Sequence, residues 1–195
     1  MPTQASNRGR QRSQQFECGT CHRRFGSRKA LQDHLRSLPN HSKEKPSRTY
    51  PNLHGDIVRS TTGVLGPLRF NHNIDDSNTD NEYSTNISGK FKCETPSCRT
   101  DGWSSGVVSI VIRQYPDSTY NAIVYNQSCK ACNNLGVLEI DIESYVQRVS
   151  YRLKKWAGIR MEPPPYSLKE GPPHQSALCE GCKRGYCRQR GGAGV

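Results

Sequence analysis

The stretch CEGCKRGYC at residues 179–187 holds three closely spaced cysteines, and a histidine, His174, precedes it by five residues. Four further cysteines form two earlier pairs, one separated by two residues and the other by four. These pairs are Cys129 with Cys132 and Cys93 with Cys98. A Cys-x2-Cys spacing lets two thiolates reach one ion, and a structural zinc site takes four sulfur or nitrogen ligands. Seven cysteines and one histidine therefore predict two tetrahedral zinc sites.

A second motif lies at residues 16–41, where the sequence reads FECGTCHRRFGSRKALQDHLRSLPNH. Its two cysteines and two histidines, with Phe25 and Leu31 between them, resemble a C2H2-type zinc finger. The ligands would be Cys18, Cys21, His34 and His41. The resemblance implies a ββα unit with Phe25 and Leu31 in its small core. It raises the expected zinc content to three ions per chain and uses all nine cysteines as ligands.

The finger departs from the usual pattern, because six residues separate His34 from His41 where roughly three to five are usual. Such a wide gap is similar to that of fingers that bind double-stranded RNA or proteins. Finger positions that read DNA bases fall on Ser27, Ala30 and Asp33, and none can make the bidentate Arg–guanine contact. Basic residues of the finger are better placed for phosphate contacts, and these are Arg23, Arg24, Arg28, Lys29 and Arg36. The alternative is a structural or protein-docking finger.

Positive charge is concentrated near the N-terminus. The chain has a net charge of +11, and residues 1–50 contribute eleven Lys and Arg against three Asp and Glu. This asymmetry favours nucleic acid as an anionic partner over a merely solvated basic arm. No apolar stretch is long enough to span a bilayer, and the first residues lack the apolar region of a secretory signal. We therefore expect no membrane insertion, no secretion, and a location in the nucleus or cytoplasm, where cysteine pairs favour metal over disulfides.

Hydrophobic residues make up only 32% of the chain, so metal ions are expected to supplement a thin core. Two β-branched runs, 107–112 and 120–125, flank the turn signal at 116–118 and predict a β-hairpin. Residues 136–140 indicate a third strand, and apolar residues at helical spacing over 142–156 predict an amphipathic helix. The expected fold is a set of small α+β zinc-stabilised domains. It combines an N-terminal ββα finger with C-terminal zinc-ribbon-like β-hairpins and one amphipathic helix.

The C-terminal half resembles the 3CxxC-type zinc-binding domain found in fungal proteins, receptor-transporting proteins and zygote-arrest RNA-binding proteins. Matching residues are FKC at 91–93, WSS at 103–105, CKAC at 129–132 and the segment 173–187. The resemblance implies zinc ligation by Cys129, Cys132, Cys179 and Cys182, whereas the wider spacing of the first cysteine pair departs from it. Our working assignment places Cys93, Cys98, Cys129 and Cys132 on one ion and His174, Cys179, Cys182 and Cys187 on the other. An interleaved arrangement remains open.

The predicted organisation has five parts. They are a disordered basic arm at 1–15, the finger at 16–41, a linker at 42–88, the 3CxxC-type domain at 89–187 and a Gly/Arg tail at 188–195. Within the 3CxxC-type domain, we expect Trp103 to cover the hairpin rather than to stack on a base.

These patterns predict a binding protein rather than an enzyme. A catalytic zinc keeps one position open, whereas here protein ligands fill every site, and the H-x-E pattern of nucleic-acid deaminases is absent from the sequence. The leading hypothesis is a zinc protein that binds nucleic acid, RNA more than DNA. The alternative is a soluble adaptor or chaperone for protein trafficking with a protein partner, as the resemblance to receptor-transporting proteins implies.

Overall fold

The structure is a computed structural model that describes residues 16–18, 24–37, 44–96, 98–164 and 173–188. The chain divides into two compact units, Met1–Lys43 and Glu44–Val195. The predicted basic arm at 1–15 and the Gly/Arg tail beyond Arg188 lie outside the described residues.

The described part of the first unit contains two short strands and one helix. They are β1 (Phe16–Glu17), β2 (Arg24–Phe25) and α1 (Arg28–Ser37), with β1 antiparallel to β2. The hydroxyl of Ser27 accepts a hydrogen bond of 3.1 Å from the backbone N–H of Ala30, which satisfies a free donor at the start of α1. The ring of Phe25 lies 4.6 Å from that of His34. This element order is the one expected of a finger, but the finger stays a prediction because Cys21 and His41 lie outside the described residues.

The second unit is built on a six-stranded sheet. Its strands are β3 (Ser47–Thr49), β4 (Arg69–Phe70), β5 (Asn81–Lys92), β6 (Gly102–Tyr115), β7 (Thr119–Tyr125) and β8 (Val137–Ile140). The order is β3-β7-β6-β5-β8, with every neighbouring pair antiparallel, while β4 pairs with β7 in parallel. The second unit is therefore a small α+β domain built on one mainly antiparallel sheet.

The predicted hairpin and third strand are confirmed as β6, β7 and β8. Asp117 and Ser118 turn the chain between β6 and β7 with φ angles of 60° and 57°, a left-handed conformation that short polar residues tolerate. Alternate β6 residues then face opposite sides of the sheet, so Ile110 and Ile112 lie on one side and Val111 on the other. Both sides are buried there, which explains why residues 107–112 of the strand are β-branched at every position except Ser109.

Two helices cover the first face of the sheet, α2 (His54–Thr61) and α3 (Ile142–Trp156). The predicted amphipathic helix is confirmed as α3. The Asp141 side chain accepts a hydrogen bond of 3.0 Å from Ser144 N–H at its start, and Gly158 has a φ of 80° just after its end. The main core lies between these helices and the sheet. It contains Leu53, Ile57, Ile87, Phe91, Val108, Ile110, Ile112, Tyr120, Ala122, Val124, Tyr145, Val149 and Leu153.

The second face of the sheet is covered by the C-terminal segment 173–188, which includes the short helix α4 (Glu180–Lys183). Tyr186 from this segment packs on a smaller apolar cluster formed by Val111, Ile123 and Tyr125.

Trp103 packs against the main core. Its ring stacks on that of Phe91 with centroids 4.9 Å apart and nearly parallel planes, as expected of a side chain that covers the sheet.

Residues 44–88 are part of this domain, which corrects the predicted linker at 42–88. Leu53 and Ile57 are buried in the main core, although their surroundings in sequence are polar. Residues 81–92 form the long strand β5 because they pair with β6 along the strand except at Ser88, where the register shifts. This pairing satisfies the backbone of a polar run. The domain therefore starts near Glu44 rather than at residue 89. Across the described ranges, no helix is both long and apolar enough to cross a membrane.

Candidate metal centres

The first centre brings together four cysteines from two loops at one end of the sheet. Cys93 directly follows β5 and Cys98 lies in the connection to β6, while the other two come from the loop after β7. That loop is a tight knuckle in which Cys129 N–H donates to Asn134 O and Asn133 N–H donates to Cys129 O, both at 2.8 Å. The ligand group of this centre is Cys93, Cys98, Cys129 and Cys132.

Sulfur positions in the first centre fit a tetrahedral ion. The Sγ atoms of Cys93 and Cys132 are 3.6 Å apart, and those of Cys98 and Cys129 are 3.8 Å apart. All four sulfurs lie within 4.8 Å of one another. Four sulfurs bound to zinc at about 2.3 Å would be separated by about 3.8 Å. The donor set and its spacing therefore suit Zn²⁺.

The thiols of the first centre differ in pKa. The side chain and backbone of Thr100 hydrogen-bond to Cys98 and lower its thiol pKa to about 6. Burial raises the pKa of Cys93 to about 12. Burial also opposes ionisation of Cys129, but the backbone N–H groups of Cys132 and Ala131 outweigh it and the pKa is lowered. Thiols this close cannot all ionise unless a positive charge neutralises them, and a bound Zn²⁺ would supply that charge.

The second centre is formed within the C-terminal segment by His174, Cys179, Cys182 and Cys187. His174 Nε2 lies 3.2 Å from Cys182 Sγ and 3.6 Å from Cys187 Sγ. A nitrogen and a sulfur on one tetrahedral zinc would be separated by about 3.5 Å. Cys179 and Cys187 are buried. The pKa of the Cys179 thiol is raised to about 12, chiefly by its hydrogen bond with Cys187 and next by burial.

Direct packing holds the second centre on the sheet. A Cβ atom at Gly181 would lie 2.4 Å from Ser109 Cβ, so only glycine allows α4 to approach β6 this closely. The hydroxyl of Ser109 donates a 3.1 Å hydrogen bond to the backbone oxygen of Tyr186. The Tyr186 ring stacks on Tyr125 at 5.5 Å, and its hydroxyl accepts a hydrogen bond from Arg113. The zinc ligands thus belong to a segment that seals the second face.

A short backbone bridge joins the two centres. Ser128 N–H donates to Leu178 O at 2.8 Å, and Glu180 N–H donates to Asn126 O at 3.0 Å. This pairing sets Gln127 opposite Cys179. The bridge therefore connects the centres closely: it ends one residue before Cys129, a ligand of the first centre, and it includes Cys179, a ligand of the second.

The sequence could not decide which cysteine pairs share an ion. The structure groups the eight ligands as in the working assignment, and the groups are not interleaved. For the finger, it describes Cys18, which is buried, and His34, whereas Cys21 and His41 lie outside the described residues. Two centres are thus supported, and the third zinc stays a prediction.

Among the residues expected to contact phosphate, Arg24, Arg28 and Lys29 are exposed on the first unit. Arg23 and the side chain of Arg36 lie outside the described part of the chain. Sequence reasoning missed Gln127, because a lone glutamine carries no motif. Its side-chain oxygen accepts a hydrogen bond of 3.2 Å from Trp103 Nε1, and its side-chain nitrogen donates to Val107 O at 2.8 Å.

Comparison with protein families agrees with this geometry. The 3CxxC zinc-ribbon family, described as a zinc-binding domain, matches residues 86–185, which include all eight ligands of the two centres except Cys187. Comparisons with curated proteins and with solved structures found no match.

Proposed function

The chain belongs to the 3CxxC-type zinc-binding family, and from this premise we propose that it is a non-enzymatic zinc protein that binds nucleic acid, RNA in preference to DNA. Zinc binding rests on the family match and on the two four-ligand clusters. The nucleic-acid partner rests on one observation, the concentration of positive charge in residues 1–50.

A structural role for the metal is supported by the ligand count. Each cluster offers four sulfur or nitrogen donors from the protein, which completes a tetrahedral zinc shell and leaves no position for a substrate. None of the described cysteines is in a disulfide, and this suits the nucleus or cytoplasm, where we place the protein.

Backbone contact rather than base reading is the interaction that the first unit favours. Arg24, Arg28 and Lys29 are exposed on β2 and α1. Arg28 and Lys29 can reach phosphate oxygens directly, and Arg24 can do so by exchanging its 3.3 Å ion pair with Glu17 for a phosphate. The finger positions that would read bases are Ser27, Ala30 and Asp33, and none of them is an arginine that could make a bidentate contact with guanine. Such a surface binds a phosphate backbone with little sequence preference, and the wide spacing of the two histidines of the finger favours RNA.

Salt-dependent binding tests this proposal. The zinc-loaded chain is titrated into fluorescently labelled single-stranded RNA, double-stranded RNA and duplex DNA at several salt concentrations. With about four phosphate contacts, the logarithm of affinity for a duplex should fall against the logarithm of salt with a slope of about −3.6. RNA should bind more tightly than DNA of equal length. A flat salt response would contradict nucleic-acid binding.

A charge-matched pair of variants locates the binding. Replacing Arg24, Arg28 and Lys29 by glutamine should make the duplex slope shallower by about 2.7. The control variant replaces three exposed residues of the second unit by glutamine, namely Arg59, Arg69 and Lys90. It removes the same charge and should leave the salt slope nearly unchanged. Equal effects of the two variants would mean that net charge alone, and not the first unit, attracts nucleic acid. The adaptor alternative would instead give protein partners that survive nuclease treatment in a pull-down.

A further inference from the structure

Two arginines contact one tyrosine ring on the second unit, outside both metal centres. Tyr83 lies on β5, and the guanidinium carbon of Arg152 from α3 is 3.1 Å from its ring centroid. The guanidinium carbon of Arg188 is 4.0 Å from the same centroid, and Arg188 donates a 3.0 Å hydrogen bond to the Tyr83 hydroxyl. We call Tyr83, Arg152 and Arg188 the Tyr83 cluster.

Within the described residues, no ion pair neutralises the two arginines of the Tyr83 cluster. Neither guanidinium forms an ion pair with a carboxylate in the described ranges, whereas exposed arginines elsewhere on the unit, such as Arg59 and Arg69, do so. The only acidic residue of α3 is Glu143, in the first turn, two turns before Arg152. Arg152 Nε is buried and has no hydrogen-bond partner. Two like charges on one ring and a buried donor without an acceptor are unfavourable, and a bound anion would relieve both.

The surroundings of the Tyr83 cluster combine further cations with aromatic rings. Arg152 lies 5.8 Å from the Tyr151 ring and 5.9 Å from the Trp156 ring, and Lys155 Nζ lies 5.9 Å from the Tyr151 ring. Tyr151 and Trp156 are only partly buried. Guanidinium groups bind phosphate oxygens in a bidentate manner, and exposed rings next to them offer stacking surfaces to unpaired bases. This combination suits a single-stranded nucleic acid better than an isolated phosphate.

We propose that the Tyr83 cluster is a phosphate-binding site for single-stranded RNA on the second unit, an inference that rests on the nucleic-acid function proposed above. Arg152 and Arg188 would each bind backbone phosphate, and Tyr151 and Trp156 would contact the adjacent bases. Arg188 directly follows the metal ligand Cys187, so the second centre fixes where this arginine lies. The second unit thereby adds an RNA surface of its own to the basic first unit.

The test uses the full zinc-loaded chain and a fluorescent oligouridylate of roughly 16 nucleotides. Substituting both arginines, Arg152→Gln with Arg188→Gln, should weaken binding about tenfold or more. It should also make the salt slope shallower by about 1.4, which is the value for two phosphate contacts on a single strand. The control Arg59→Gln with Arg69→Gln removes the same charge from arginines that already have acidic partners, and it should bind like the parent chain.

Two further variants separate binding from packing. Arg188→Gln alone changes an exposed side chain and should leave the circular dichroism and zinc content intact while making the slope shallower by about 0.7. Arg152→Lys keeps the charge but loses the planar fork, so it should retain the salt slope and still bind several-fold more weakly.

The outcomes distinguish this site from the general function. If the parent chain binds the oligouridylate but the double variant matches the Arg59 and Arg69 control, the Tyr83 cluster is not an RNA site and the first unit carries the function alone. If the parent chain binds no RNA or DNA at all, both proposals fail. Loss of affinity and slope in the Arg188→Gln variant, with zinc content unchanged, supports the site.

Discussion

The two metal centres differ in what their ligands hold in place. In the first centre, two loops at one end of the sheet supply the cysteines, and the main core lies elsewhere. In the second, the ligands lie in a segment with little secondary structure of its own, and that segment seals one face of the sheet. Where a segment cannot fold by its own packing, a metal ion supplies the missing free energy. Loss of the second zinc should therefore destabilise a larger part of the structure than loss of the first.

The largest effect is expected from Cys182→Ser, which removes a ligand of the second centre. Structural zinc contributes roughly 10–16 kcal/mol of apparent folding free energy in finger peptides. Without it, segment 173–188 should detach from the sheet and expose Val111, Ile123 and Tyr125. We expect rapid hydrogen exchange in β6 and β7, increased binding of a hydrophobic dye, and loss of one zinc equivalent. Protected β6 and β7 amides in this variant would show that the sheet does not depend on the second centre.

A smaller effect is expected from the matched change Cys98→Ser in the first centre. Cys98 and Cys182 are both half-buried, and each substitution replaces one sulfur ligand by oxygen. Zinc content should again fall by one equivalent, but faster hydrogen exchange should be confined to residues 93–101 and 129–136. The core amides of β6 and β7 should stay protected. If both variants unfold the sheet equally, the contrast between the centres is wrong.

Local patterns predicted the parts of this fold that are also stabilised locally. The β6–β7 hairpin and α3 have the alternation, turn and cap residues that specify them, and the cysteine spacing indicated the ligands. Strand β5 escaped prediction because its sequence, NEYSTNISGKFK, is polar, and only pairing with β6 and burial of Ile87 make it a strand. Helix α2 is too short to be stable by itself and depends on the burial of Ile57. Sequence spacing also gives no distance between remote cysteines, so ligand grouping needed the fold.

Close packing of the second centre can be tested without touching a ligand. Gly181→Ala would place a methyl group against Ser109 on β6, and such overpacking costs roughly 1–3 kcal/mol. We expect a lower free energy of unfolding, measured by urea denaturation, and weaker zinc binding at the second centre alone. Adding Ser109→Gly removes the atoms that clash and should recover part of the loss, which a double-mutant cycle would detect. An additive result would mean that α4 does not approach β6 through these two residues.

The smallest effect is expected from Gln127→Ala, on the bridge between the two centres. The side chain of Gln127 accepts from Trp103 and donates to Val107 O, whereas its backbone pairs with Cys179. Removing the side chain leaves the backbone bridge intact but deprives the Trp103 N–H of its acceptor. Because Trp103 is only partly buried, we expect a cost near the lower end of the range for a lost partner, about 1 kcal/mol. Denaturation should show that loss, while titration with a zinc chelator should show two equivalents held as tightly as in the parent chain. If zinc affinity fell at both centres together, the side chain and not the backbone would couple them, because the substitution alters no ligand and leaves the backbone hydrogen bonds of the bridge in place.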